Sequence, residues 1–97
     1  MKLIVKTTSW GINRKSGKYK ERVCGKNIFI CKNGELDSLS NAGRRLVINE
    51  TGDDYIKLSV LCANQAYNKE WLIKKGEEIR YRPRSFDGGY FYDFKLI

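Results

Sequence analysis

Apolar and polar positions alternate along most of this chain of 97 residues. The runs are short and separated by glycine, asparagine and aspartate, and a period of two is the pattern of half-buried β-strands. The clearest run is 55–63, where Ile56, Leu58, Val60 and Cys62 face one way and Tyr55, Lys57, Ser59 and Leu61 the other. Residues 3–8, 18–23, 27–31, 45–49 and 70–75 read as further strands, rich in β-branched and aromatic side chains. The lysines of 18–23 suit a strand at an exposed sheet edge. Residues 9–17 are polar and punctuated by glycine, which predicts a long loop; 32–35 and 50–54 predict turns, and 64–68 a loop. Only 36–43, with Leu36 and Leu39 three apart and Gly43 as a stop, suits a short helical turn.

The last stretch, 77–97, predicts a hairpin closed by the glycine-containing segment 85–89. On its first strand Ile79 and Tyr81 share one face and Arg80, Arg82 and Arg84 the other. On its second, Tyr92, Phe94 and Leu96 oppose Phe91, Asp93 and Lys95. Burying Ile79 and Tyr81 against Tyr92, Phe94 and Leu96 leaves a row of three arginines on the outer face beside Phe91, with Asp93 placed to pair Arg80 or Arg82. Pro83 places this first strand at a sheet edge. The expected fold is therefore all-β: one domain over 1–97, a small, mostly antiparallel sandwich or partly open barrel of about 6–8 short strands, with at most one helical turn. A chain this short has no room for helices on both faces of a parallel sheet.

Composition agrees with a folded domain, since 41% of residues are hydrophobic and two Trp, six Tyr and four Phe are present. No apolar run approaches the ~20 residues that span a bilayer, and the apolar stretch at 3–5 is too short for a secretion signal. A cytoplasmic protein without a membrane partner is expected. Three cysteines, none in a CxxC pair, favour free thiols over a disulfide framework.

Charge changes the picture more. The net charge is +8, and it is unevenly spread: residues 1–34 carry nine basic side chains and one acid, 35–70 four and six, 71–97 six and four. Basic ends flanking an acidic middle suit a polyanionic partner. Chemistry narrows the class further. The chain has no histidine, so Ser-His-Asp and Cys-His catalysis and histidine-ligated metals are excluded. Neither a GxxxxGK[ST] nor a GxGxxG loop occurs. A non-enzymatic protein with no cofactor and no metal is expected.

Two stretches combine basic and aromatic side chains. The first holds Trp10, Arg14, Lys15, Lys18, Tyr19, Lys20 and Arg22; the second holds Arg80, Arg82 and Arg84 with Phe91. Lysine and arginine bind phosphates by displacing counterions, and aromatic faces accept stacked bases. Residues 10–19 resemble the opening of cold-shock OB-fold domains over about a tenth of the chain. The aromatic segment that follows in that family is replaced here by Lys20-Glu21-Arg22-Val23, and its histidine-containing motif is missing, so no residue role is carried over. The expected function is a binding module for a phosphate-rich ligand, foremost nucleic acid. The alternative is a small inhibitor or adaptor that docks on an acidic protein surface or takes an anionic nucleotide.

Overall fold

A computed structural model describes residues 1–36 and 44–97. The strands in chain order are β1 (Lys2–Ile12), β2 (Tyr19–Ile30), β3 (Gly34–Glu35), β4 (Arg45–Thr51), β5 (Tyr55–Leu61), β6 (Lys69–Lys74), β7 (Glu78–Tyr81) and β8 (Gly88–Leu96). They form two four-stranded antiparallel sheets, ordered β2-β1-β8-β7 and β3-β4-β5-β6, and the two sheets share no strand. The architecture is all-β and sandwich-like. Among the described residues no helix is long and apolar enough to cross a membrane.

The alternation in the sequence becomes the core. Ile56, Leu58 and Val60 of β5, Leu46 and Ile48 of β4 and Ile73 of β6 point inward from the second sheet. Leu3 and Val5 of β1, Tyr81 of β7 and Tyr92, Phe94 and Leu96 of β8 meet them from the first. Burying each large apolar side chain is worth about 1.5–3 kcal/mol, and the aromatic ones are linked. Tyr92 stacks between Tyr81 and Phe94 at centroid distances of 6.0 and 6.5 Å, and Trp71 meets Tyr81 edge-on at 5.5 Å. The hairpin pairing read from the sequence is present, with Ile79 opposite Phe94 and Tyr81 opposite Tyr92. All three cysteines are free; Cys31 and Cys62 pack half-buried beside the core, and burial pushes the Cys31 thiol pKa up.

Beyond shifts of one or two residues at strand ends, four features differ from the sequence reading. First, β1 runs through Trp10 to Ile12, where a loop from Ser9 was expected. It lies between β2 and β8, so even its polar and glycine positions find ladder partners on both sides. Second, 18–23 and 27–31 are parts of one long strand, β2, joined by a bulge at which Thr7 pairs with Gly25, Thr8 pairs with Val23 and Cys24 is the extra residue. Third, Gly34 and Glu35 form a short strand opposite Ile48 and Val47 instead of a simple turn. Fourth, β7 stops at Tyr81, while Gly88 and Gly89 belong to β8 and not to the connecting loop. The helical turn expected at 36–43 lies, apart from Leu36, outside the described residues. Among the described residues a 3-10 turn occurs at Gln65–Tyr67, where Asn64 caps by accepting from the Ala66 N–H at 3.0 Å.

Candidate functional site

The two basic stretches, far apart in sequence, meet at one end of the sandwich. They do so because β8 pairs with both β1 and β7, bringing the β1–β2 hairpin beside the β7–β8 connection. On the outer face of the first sheet the meeting point is Arg82. Its guanidinium lies 4.7 Å from the centre of the Trp10 ring and donates to the Tyr19 hydroxyl at 3.2 Å. Trp10 and Tyr19 stack at 6.0 Å, so the three side chains form a continuous shelf. Gly89 pairs with Trp10, and a Cβ there would meet the Ser85 side chain at 3.2 Å and the indole Nε1 at an ordinary contact distance of 3.5 Å. Gly88 pairs with Gly11, and a Cβ there would come to 3.0 Å from the Trp10 carbonyl oxygen. The indole N–H is buried without an acceptor among the described residues.

Arg80 and Phe91 have a different place. Arg80 lies 4.3 Å above the Phe91 ring, and Arg82 lies 5.5 Å from the same ring. Phe91 is only 2% exposed, so it is the floor of this surface and not a face open to a ligand. Asp93, 4% exposed, accepts from Arg80 Nε at 2.8 Å and from Nη2 at 3.4 Å, with Lys6 Nζ at 3.9 Å. The hydrogen bonds to Asp93 raise the Arg80 pKa and hold the guanidinium charged. Arg80 is thus committed within the sheet, as the cross-hairpin pairing anticipated. The three arginines do not form one strand row, because β7 ends at Tyr81 and Arg82 and Arg84 lie in the connection beyond it.

Arg82 and Arg84 both line a cleft of about 670 Å³, with Arg44, Tyr67, Lys69, Tyr81, Pro83, Ser85 and Phe86. A recess of about 90 Å³, lined in part by Arg44, Arg84 and Tyr90, adjoins it. Among the described residues the cleft lining holds four cations and no carboxylate, and none of the four makes an ion pair. Arg44 Nε is buried without a partner among them. Three aromatic side chains complete the wall, and Phe86 stands 93% exposed at its rim. An unopposed positive cleft with aromatic walls suits an anion attached to a flat ring.

The remaining basic residues read from the sequence lie on the β1–β2 arm. Asn13 builds its tip, accepting from the N–H groups of Lys15 and Ser16 at 2.9 and 3.3 Å, and Gly17 supplies the left-handed turn at φ 70°. Lys15, Lys18, Lys20 and Arg22 are exposed there, without ion pairs among the described residues, whereas Arg14 is paired with Asp87. No group of three His, Cys, Asp or Glu side chains able to hold a metal occurs among the described residues.

No protein family, curated protein or solved structure matches this chain. The site therefore rests on its own geometry. Sequence reasoning missed Arg44, Lys69, Tyr67 and Phe86. Arg44 and Lys69 sit in the segment whose net charge is negative, and a segment balance hides individual cations that the fold carries elsewhere.

Tyr81 links cleft and core. Burial first, then the neighbouring Cys62 thiol, pushes its hydroxyl pKa up from 10.0, while Arg44 pulls it down. A group whose pKa is raised on folding contributes stability that is complete below the unfolded value and is lost as pH rises through the folded one. Urea unfolding measured on both sides of pH 10.0 should therefore show stability falling toward alkaline pH, and Tyr81→Phe should flatten that fall. Identical slopes for the two proteins would show that Tyr81 carries none of it.

Proposed function

We propose that this chain is a non-enzymatic, cytoplasmic binding module for nucleic acid. Four cations of the cleft, Arg44, Lys69, Arg82 and Arg84, set among Tyr67, Tyr81 and Phe86 with no acid among the described residues of the lining, carry this reading. The Trp10–Tyr19–Arg82 shelf extends the surface from the cleft toward the basic β1–β2 arm. In this arrangement phosphates contact the guanidinium and ammonium groups, and unpaired bases stack on Phe86 and the shelf, each stack contributing roughly 1–3 kcal/mol. Contacts of this kind follow the backbone and carry little sequence information.

The test is fluorescence anisotropy with labelled single-stranded and double-stranded DNA and RNA at low salt. Binding that weakens steeply as salt is added is expected. Absence of binding to every probe at low salt would sink the proposal.

One observation favours a second reading, an adaptor or inhibitor that docks on an acidic protein surface. Phe86 is 93% exposed beside Arg84, and an aromatic next to an arginine is a common interface anchor. Affinity capture from lysate with and without nuclease separates the two readings, because protein partners that survive nuclease belong to the second.

A further inference from the structure

The four sheet edges are not protected alike. β3 has two residues, β7 has four and leads into Pro83, and β6 carries three charged side chains in six residues. Short, charged or proline-flanked edges resist pairing with other chains. β2 also carries charge, at Lys20, Glu21, Arg22 and Lys26, and a bulge at Cys24, but it is the longest of the four edges. It runs for 12 residues without proline, its neighbour among the described strands is β1 alone, and every residue except Phe29 is exposed. Its sequence also leaves large apolar side chains in solvent, with Val23 59%, Ile28 60% and Ile30 67% exposed.

Pairing with β1 fixes which way each side chain points. Ile4 opposes Ile28, Lys6 opposes Lys26, Thr8 opposes Val23, Trp10 opposes Glu21 and Ile12 opposes Tyr19, so these β2 residues lie on the outer face. Lys20, Arg22, Gly25, Asn27 and Phe29 lie on the inner one. The bulge at Cys24 shifts the parity between the two halves of the strand. This has a consequence for self-pairing. When the strand runs antiparallel to a second copy with the two bulges facing each other, residues 19–22 pair with residues 25–28 of the other copy, outer with outer and inner with inner, and Val23 meets the bulge residue Cys24. Tyr19 then opposes Ile28, Lys20 opposes Asn27, Glu21 opposes Lys26 and Arg22 opposes Gly25. Each pairing occurs twice, no like charges stand directly opposite, and two new ion pairs form. Neither Glu21 nor Lys26 has an ion-pair partner within one chain among the described residues.

We propose that the protein forms a two-fold homodimer through β2, joining the first sheets of two copies into one continuous sheet. Its outer face carries two Trp10–Tyr19–Arg82 shelves, one on each side of the junction. The pairing does not depend on the nucleic-acid reading. An interface confined to one strand from each copy is small, so association in about the micromolar range is expected.

Sedimentation equilibrium of the whole chain over about 1–100 µM tests it. The mass should climb from 11.3 kDa toward twice that value. Glu21→Lys and Lys26→Glu each replace both attractive pairs with like-charge pairs, and each should weaken association at least about tenfold. Mixing the two single variants should restore it, because each pair across the junction then joins a lysine of one copy to a glutamate of the other. The double exchange E21K/K26E within one chain should restore it for the same reason. Both positions are exposed, and circular dichroism verifies that the variants remain folded. A wild-type chain that stays at 11.3 kDa, a dimer that neither exchange weakens, or variants whose mixture stays monomeric would each overturn the pairing.

Discussion

Replacing Phe94 with alanine should remove about 3–5 kcal/mol of stability, a large share of the about 5–15 kcal/mol that holds a domain of this size together. Phe94 is fully buried, pairs with Val5 on one side and Ile79 on the other, and lies 5.7 Å from Trp71 of the facing sheet. It is therefore at the point where four strands from both sheets converge. The loss combines the ring's transfer free energy with the cavity left behind, since backbone ladders on both sides prevent the site from collapsing. In urea, with a slope of about 2 kcal/mol per molar, the midpoint should fall by roughly 2 M with the slope unchanged. Phe86→Ala is the matched control, because the same truncation at a side chain 93% exposed should shift stability by less than about 0.5 kcal/mol. Equal losses at the two positions would mean that the sheets do not pack as described.

The core positions were legible because a period of two has one interpretation wherever it is regular. Ile56, Leu58 and Val60 were identifiable from their spacing, as was the pairing of Ile79 and Tyr81 with Phe94 and Tyr92. The limits of the reading lie where a residue's meaning depends on what pairs with it. Gly88 and Gly89 are a turn signal in isolation, yet in the fold they are strand positions paired with Gly11 and Trp10, and at Gly88 a Cβ would crowd the neighbouring backbone of β1. Arg80 and Arg82 are equivalent by alternation, but only Arg80 is opposite Asp93 and loses its free charge to it. The cleft was illegible for a further reason. Its cations come from the segment before β4, the start of β6 and the β7–β8 connection, and their convergence is a property of sheet order that no local pattern records.

Neutralising Arg44, Lys69, Arg82 and Arg84 together with glutamine should have the largest effect on binding. Single-stranded nucleic acid loses affinity with salt at a slope of about 0.7 per neutralised phosphate, so four contacts account for about 2.8 of the slope. Between 50 and 200 mM salt the wild type should consequently weaken about 50-fold more than the variant. Net charge alone is the competing explanation, since the substitutions lower +8 by four. The control therefore removes four other cations, Arg45, Lys57, Lys74 and Lys75, which lie on the second sheet and just beyond its edge strand and do not line the cleft. Both variants then carry the same charge. Surface charge that merely attracts a polyanion would flatten the two salt slopes equally, because long-range attraction depends on total charge more than on its placement. A cleft that holds phosphates would flatten only the first, because counterions are released where phosphates are actually met. Equal slopes would remove the cleft from the binding surface and shift it toward the exposed lysines of the β1–β2 arm.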